Sequence, residues 1–256
     1  MKATLITGAS SGIGQAMAST LATQGENLVI TGTRKEKLEA IAEDYRSQYG
    51  IQVLPLSVDL STADGAEKLI GLIEVQNIQI HRLINNAGFA YYSGSISQTH
   101  QQVEQLINLN VTSLVKLCNH YGSIMQKGDE ILNVASTAAF QPIPGQNLYA
   151  ASKAMVLSFS EGLNYELRDR GIWVSCLNPG VTDTNFFDRA GLKEAKGIFS
   201  LNKRMSPLKV AHFGFKLLRK RKLSGSPGIQ NKINTFLHRL FSRRIVLALA
   251  AKIATY

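Results

Sequence analysis

Thr7-Gly8-Ala9-Ser10-Ser11-Gly12-Ile13-Gly14 decides how this chain is read. An apolar run, Ala3–Thr7, leads into it and a helical pattern, Ile13–Gln24, leaves it. A strand that turns through glycines into a helix aims bare backbone N–H groups, at the positive end of a helix dipole, at an anion. Side chains at the glycines would block a phosphate from the backbone. The spacing is G-x-x-x-G-x-G, not the commoner G-x-G-x-x-G, but the strand-to-helix context is the one such loops need. Gly8, Ser10, Ser11, Gly12, Ile13 and Gly14 are therefore the candidate cradle for a dinucleotide pyrophosphate.

Outward from this loop the pattern repeats. Leu28–Thr31, Val53–Val58, Leu83–Asn85, Ile131–Ala135 and Trp173–Asn178 are short apolar runs with little polar alternation, as in strands covered on both faces. Helical segments such as Lys35–Tyr49 and Asn147–Arg170 separate them, and Pro207–Lys220 reads as a later helix. Strand–helix–strand repetition predicts an α/β fold: a doubly wound parallel β-sheet in three α/β/α layers, ligand at the strands' C-terminal edge. With 256 residues and no linker or repeat, one such domain is expected, over residues 1–228, followed by a basic helical extension over 229–256.

The second strand run ends Thr31-Gly32-Thr33-Arg34-Lys35. A carboxylate there would accept from adenosine ribose hydroxyls; this chain has Arg34 instead, whose planar fork suits a 2′-phosphate. NADP(H) is expected over NAD(H).

Tyr149-Ala150-Ala151-Ser152-Lys153 opens a helix, so Tyr149 and Lys153 share a face. A free tyrosine ionises at about pH 10. A neighbouring ammonium is expected to lower that toward the working range, making a proton donor or acceptor. Ser136, at the end of the fifth strand run, adds a hydroxyl to hold a substrate oxygen. The five histidines are scattered without ligand spacing, so no metal site is expected.

Composition limits the setting. Two cysteines, Cys118 and Cys176, make neither a disulfide framework nor a zinc site. Met1–Thr7 holds no long apolar signal core, and no stretch reaches the roughly 18 apolar residues of a spanning helix. A cytoplasmic location is expected. Net charge is +10, unevenly placed: residues 195–256 carry 14 Lys and Arg and no Asp or Glu. Such a tail either meets an anionic surface or is a solvated basic face. Nucleic acid is not expected, since no recognition motif accompanies the charge.

Together these features resemble the short-chain dehydrogenase/reductases (SDR) of the compact, single-domain, Rossmann-fold type, and specifically a bacterial NADP-dependent member. The matching motifs are Thr7–Gly14, Asp59, Asn85-Asn86-Ala87-Gly88, Asn110, Ser136, Tyr149 with Lys153, and Asn178-Pro179-Gly180 with Thr184. The resemblance implies that Asp59 touches adenine and that Asn86 supports the cofactor wall. It implies that Asn110 shares a water relay with Lys153, that Lys153 also grips the nicotinamide ribose, and that Pro179, Gly180, Val181 and Thr184 frame the nicotinamide. Asn110, Ser136, Tyr149 and Lys153 would be the catalytic set of a carbonyl reductase or alcohol dehydrogenase, as a homodimer or homotetramer.

The end of the chain departs from that pattern. Lys222–Gly228 is a poor final strand, expected to be absent or very short. Ile229, Ile233, Phe236, Leu237, Leu240 and Phe241 then recur at helical spacing, and Ile245–Ala251 is apolar between Arg243, Arg244 and Lys252. One or two basic amphipathic helices follow, packed on the core or a subunit, over the active-site mouth, or in the interface of the membrane's inner face. Thr182–Ser200, with Phe186 and Phe187, reads as an apolar lid or a surface loop. The ending resembles the reductase branch close to the very-long-chain ketoacyl and hydroxysteroid reductases, and that resemblance implies an apolar substrate, 3-oxoacyl or steroid-like; the rival is a non-catalytic nucleotide-sensing or membrane-associated protein on the same fold.

Overall fold

A computed structural model describes residues 1–184, 204–237 and 240–253. The strands are β1 (Lys2–Thr7), β2 (Leu28–Gly32), β3 (Val53–Ser57), β4 (Gln79–Asn85), β5 (Glu130–Val134), β6 (Trp173–Leu177) and β7 (Ser224–Gly225). They form one parallel sheet in the order β3-β2-β1-β4-β5-β6-β7. The crossovers carry α1 (Gly12–Ala22), α2 (Lys35–Tyr49), α3 (Gly65–Glu74), α4 (His100–Ile107), α5 (Ser113–Ile124), α6 (Asn147–Leu167) and α7 (Pro207–Arg219). After β7 come α8 (Ile229–Leu237) and α9 (Arg243–Ile253). The doubly wound, three-layer sheet is the expected one.

Both sheet faces are buried, which is why the strands read as unbroken apolar runs. Leu5, Val29, Leu83, Ile131 and Val174 point into one core, under α3, α5 and α6. Their neighbours Ile6, Ile30, Ile84 and Leu132 point into the other, under α1, α2 and α7. Strand order reverses between β1 and β4, and the loops leaving those strands part there to open a crevice.

Four details depart from the reading of the sequence or complete it. β4 begins at Gln79, four residues before the apolar run, because its polar half is held by ion pairs. Arg82 meets Glu26 at 2.7 Å and Glu130 at 2.9 Å, and His81 Nε2 lies 2.9 Å from Glu26, which also accepts from the Thr4 hydroxyl. The edge strand β3 contains Pro55, and the opposite edge, β7, is two residues long. The lid expected over 182–200 falls mostly outside the described residues; Thr182 is buried and bridges to Met205.

Candidate active site

The crevice at the C-terminal ends of β1, β4, β5 and β6 is a cleft of about 660 Å³. Its floor is the glycine loop. Gly12 takes φ +57°, and a Cβ there would stand 2.8 Å from the Thr184 methyl. At Gly14 a Cβ would lie 2.4 Å from both the Gly8 carbonyl and the Asn86 amide nitrogen, so α1 approaches the loop only because this residue is bare. That tight turn, bare at Gly8, Gly12 and Gly14, leads into a helix N-terminus whose backbone N–H groups fit a pyrophosphate, and Gly8, Ser10, Ser11, Gly12, Ile13 and Gly14 are the residues that would hold it.

Asn86 braces the loop, its Nδ2 donating to the Thr7 carbonyl at 2.9 Å and the Gly8 carbonyl at 3.3 Å. Thr7 answers with a hydroxyl that accepts from the backbone N–H groups of Asn86 and Ala87, each at 3.0 Å. Its only sign in the sequence is a hydroxyl residue closing the first strand. Arg34, ahead of α2, donates to the Ser10 hydroxyl and carbonyl at 3.1 Å. Asp59 lines the cleft, with its carboxylate accepting from the Ser61 N–H at 2.9 Å and hydroxyl at 2.7 Å.

Ser136, Tyr149 and Lys153 converge on one wall. The Ser136 hydroxyl, beside the Tyr149 phenol, donates to the Pro179 carbonyl at 3.4 Å and accepts from the Ala138 N–H at 3.1 Å. Lys153, 4% exposed, lies with Nζ 5.9 Å from the Tyr149 ring centre and donates to the Val134 carbonyl at 2.9 Å. Asn110 sits in a π-turn, Asn108–Thr112, between α4 and α5. Its Oδ1 accepts from the Phe89 N–H at 3.1 Å; its Nδ2 donates to the Phe89 carbonyl at 2.9 Å and the Ser152 hydroxyl at 3.1 Å. A Cβ on Gly88 would be 3.2 Å from both Asn110 Oδ1 and Lys153 Nζ, so these two side chains meet across a bare glycine. Pro179, Gly180, Val181 and Thr184 line the side beyond β6.

One electrostatic expectation is corrected. Burial pushes the Tyr149 phenol up to about 12, only partly offset by the Ser136 hydrogen bond. Burial also pulls Lys153 down to about 8. Desolvation of both groups outweighs the ammonium–phenol attraction assumed from their i, i+4 spacing.

The tail takes one of the placements the sequence leaves open, at the cleft mouth. Of the stripe residues, Ile229, Leu237 and Phe241 line the cleft while remaining part-exposed, and Ile233, Phe236 and Leu240 are exposed. Asn231 and Thr235 also turn to the cleft, and the Asn231 carboxamide lies where a Gly180 Cβ would be 2.5 Å away. Helical spacing located the stripe but not the side it faces, so these two polar lining residues went unread. From α9, Val246 and Ala250 are buried against the same cleft.

Residues 2–195 match the short chain dehydrogenase family model. The sulfoacetaldehyde reductase of Chromohalobacter salexigens is 35% identical over 185 residues, covering 71% of this chain and 72% of that protein. A short-chain dehydrogenase from Sphingobium yanoikuyae, solved in complex with NADPH, superposes with a TM-score of 0.80 at 32% identity, covering 94% of each chain. The bulky-bulky ketone specific alcohol dehydrogenase of Comamonas testosteroni superposes with a TM-score of 0.77 at 26% identity, covering 93% of this chain and 92% of that one. A nicotinamide-binding fold, the tyrosine–lysine wall and the matched length lead to one conclusion: this chain belongs to the short-chain dehydrogenase/reductase family of oxidoreductases acting on CH–OH groups.

Proposed function

We propose that the chain is an NADPH-dependent carbonyl reductase, able to run as an alcohol dehydrogenase in reverse, on an apolar ketone. The observation that carries this reading is the convergence of Ser136, Tyr149 and Lys153 on one wall of the cleft, with Lys153 Nζ 5.9 Å from the Tyr149 ring centre. When bound, NADPH supplies the hydride. Ser136 holds the substrate oxygen, and Tyr149 donates its proton as that oxygen gains charge. Lys153, carrying a positive charge, favours the phenolate that remains and grips the nicotinamide ribose. Asn110 links to Lys153 through a water relay. Asp59 meets adenine, and Pro179, Gly180, Val181 and Thr184 frame the nicotinamide.

Arg34 beside Ser10 supports the choice of NADPH, because its guanidinium reaches the loop where an adenosine 2′-phosphate would lie. Phe89, Ile143, Leu237, Phe241 and Leu249 along the cleft support an apolar substrate. A homodimer or homotetramer belongs to the same proposal, covering Ile124, Met155 and Tyr165, which stand exposed on α5 and α6. So does a cytoplasmic location; among the described residues no helix is long and apolar enough to cross a membrane.

The test is NADPH consumption over a panel of ketones, aldehydes and 3-oxoacyl thioesters. Turnover that falls by about a hundredfold or more in Tyr149→Phe is expected. NADPH binding without turnover of any panel member would favour a nucleotide-sensing protein. Turnover unchanged in Tyr149→Phe would remove the assigned proton donor.

A further inference from the structure

The helix α8 is amphipathic in the reverse of the usual sense. Its polar Asn231 and Thr235 are half-buried toward the cleft. Its apolar Ile233 and Phe236 are 51% and 58% exposed and do not line the cleft, while Ile229, 74% exposed at the start of the helix, continues the stripe and also borders the cleft mouth. Leu240, just past the helix, and Ile245 on α9 are exposed as well. A surface helix normally turns such a stripe inward, and an exposed apolar stripe of this length marks a contact with something outside the chain.

The charge around the stripe selects the occupant. Arg243 and Arg244 open α9 just ahead of Ile245 and are exposed, and Lys232, next to Ile233, is exposed with its Nζ 5.7 Å over the Phe213 ring, within a 62-residue stretch of 14 basic and no acidic residues. A second copy of the same face would bring like charge against like charge. An anionic bilayer surface complements both halves of the pattern, with headgroups for the arginines and acyl chains for the isoleucines and phenylalanine. We propose that the outer face of α8 and α9 docks this enzyme on an anionic lipid surface.

The docked face is continuous with the cleft. Leu237, Phe241 and Leu249 each line the cleft and are also exposed at its rim. Docking through α8 would set that rim at the lipid boundary, where an apolar molecule passes from bilayer to cleft past Leu237, Phe241 and Leu249. Docking itself stands apart from the reductase reading; only this route for the substrate rests on it, so the experiment reads binding and not turnover.

The full chain is sedimented with vesicles of phosphatidylcholine, and with vesicles of phosphatidylcholine containing phosphatidylglycerol. Recovery with the anionic vesicles alone, weakening at high salt, is expected. Each basic side chain near an anionic surface contributes about fivefold to partitioning, so Arg243→Ala with Arg244→Ala weakens binding roughly 25-fold. Ile233→Asp with Phe236→Asp weakens it at least as much, and Phe236→Ser, a milder change, weakens it less. Retained NADPH fluorescence and circular dichroism show that each variant is folded. Equal recovery in both supernatants overturns the proposal. So does vesicle binding that survives Ile233→Asp with Phe236→Asp, since it would then be charge alone. A lipid-free oligomer that this double variant splits would assign the face to a second copy and likewise overturn it.

Discussion

The Arg34 guanidinium lies over the glycine loop, with Nη2 3.1 Å from both the hydroxyl and the carbonyl oxygen of Ser10, and Nε 3.3 Å from that hydroxyl. A cation that already contacts the pyrophosphate loop is placed to meet a phosphate on the adjoining ribose, and its fork can pair with two oxygens at once. Arg34→Ala is expected to weaken NADPH binding by about tenfold or more while leaving NADH binding nearly unchanged, read by nicotinamide fluorescence titration. Equal losses for the two cofactors would remove the role given to Arg34.

Lys153 gives a pH dependence with a definite sign. Burial lowers it from 10.5 to about 8, whereas Tyr149, at about 12, stays protonated through the neutral range. Reductive turnover should therefore fall as pH rises through about 8, when Lys153 loses its charge.

The same shift bears on stability. Between about pH 8 and 10.5 the unfolded chain binds a proton at Lys153 that the folded chain does not, so this group makes stability rise with pH across that window. Below pH 8 the folded protein carries a buried ammonium at a cost. Lys153→Met should raise stability at pH 7 by about 1–2 kcal/mol and have little effect near pH 10, while abolishing turnover. Thermal melts at the two pH values check both halves.

Glu26 predicts the acid limb. Burial alone would raise its carboxyl, but the hydrogen bond from His81 and the charge of Arg82 hold it at about 2. Its contribution is complete above the ordinary value of 4.5 and is lost as pH falls from there toward 2. Glu26→Gln should cost about 2 kcal/mol at neutral pH and flatten the acid transition in that window, measured by urea unfolding at stepped pH.

Gly14→Ala is the sharpest test of the loop. The added Cβ would stand 2.4 Å from backbone at Gly8, which has no rotamer to yield. A loss of about 2–3 kcal/mol in stability is expected, with cofactor binding lost in proportion, and calorimetry with and without NADPH reads both.

What the sequence made legible was mostly local. The helix Lys35–Tyr49 shows the same bounds in sequence and structure, because Leu38, Ile41, Ala42 and Tyr45 form one buried face. Ser136, Tyr149 and Lys153 share a wall because one helix face and one strand end suffice to place them. The polar half of β4 was illegible, since Gln79 and Arg82 look unlike a strand until Glu26 and Glu130 are brought beside them. The acidity of Tyr149 is not legible from its spacing to Lys153, because spacing reveals a neighbour but not how deeply the pair is buried. The facing of α8 was hidden for a like reason: periodicity is blind to which side of a helix meets the protein.

The two ends of the sheet limit how these molecules can associate. Pro55 in β3 has no N–H to offer a neighbouring strand, and β7 presents only Ser224 and Gly225. A partially opened molecule thus gives an incoming chain little backbone to copy. Growth of the sheet from one molecule into the next is discouraged at both margins, and contact between folded copies is left to side chains on the helices.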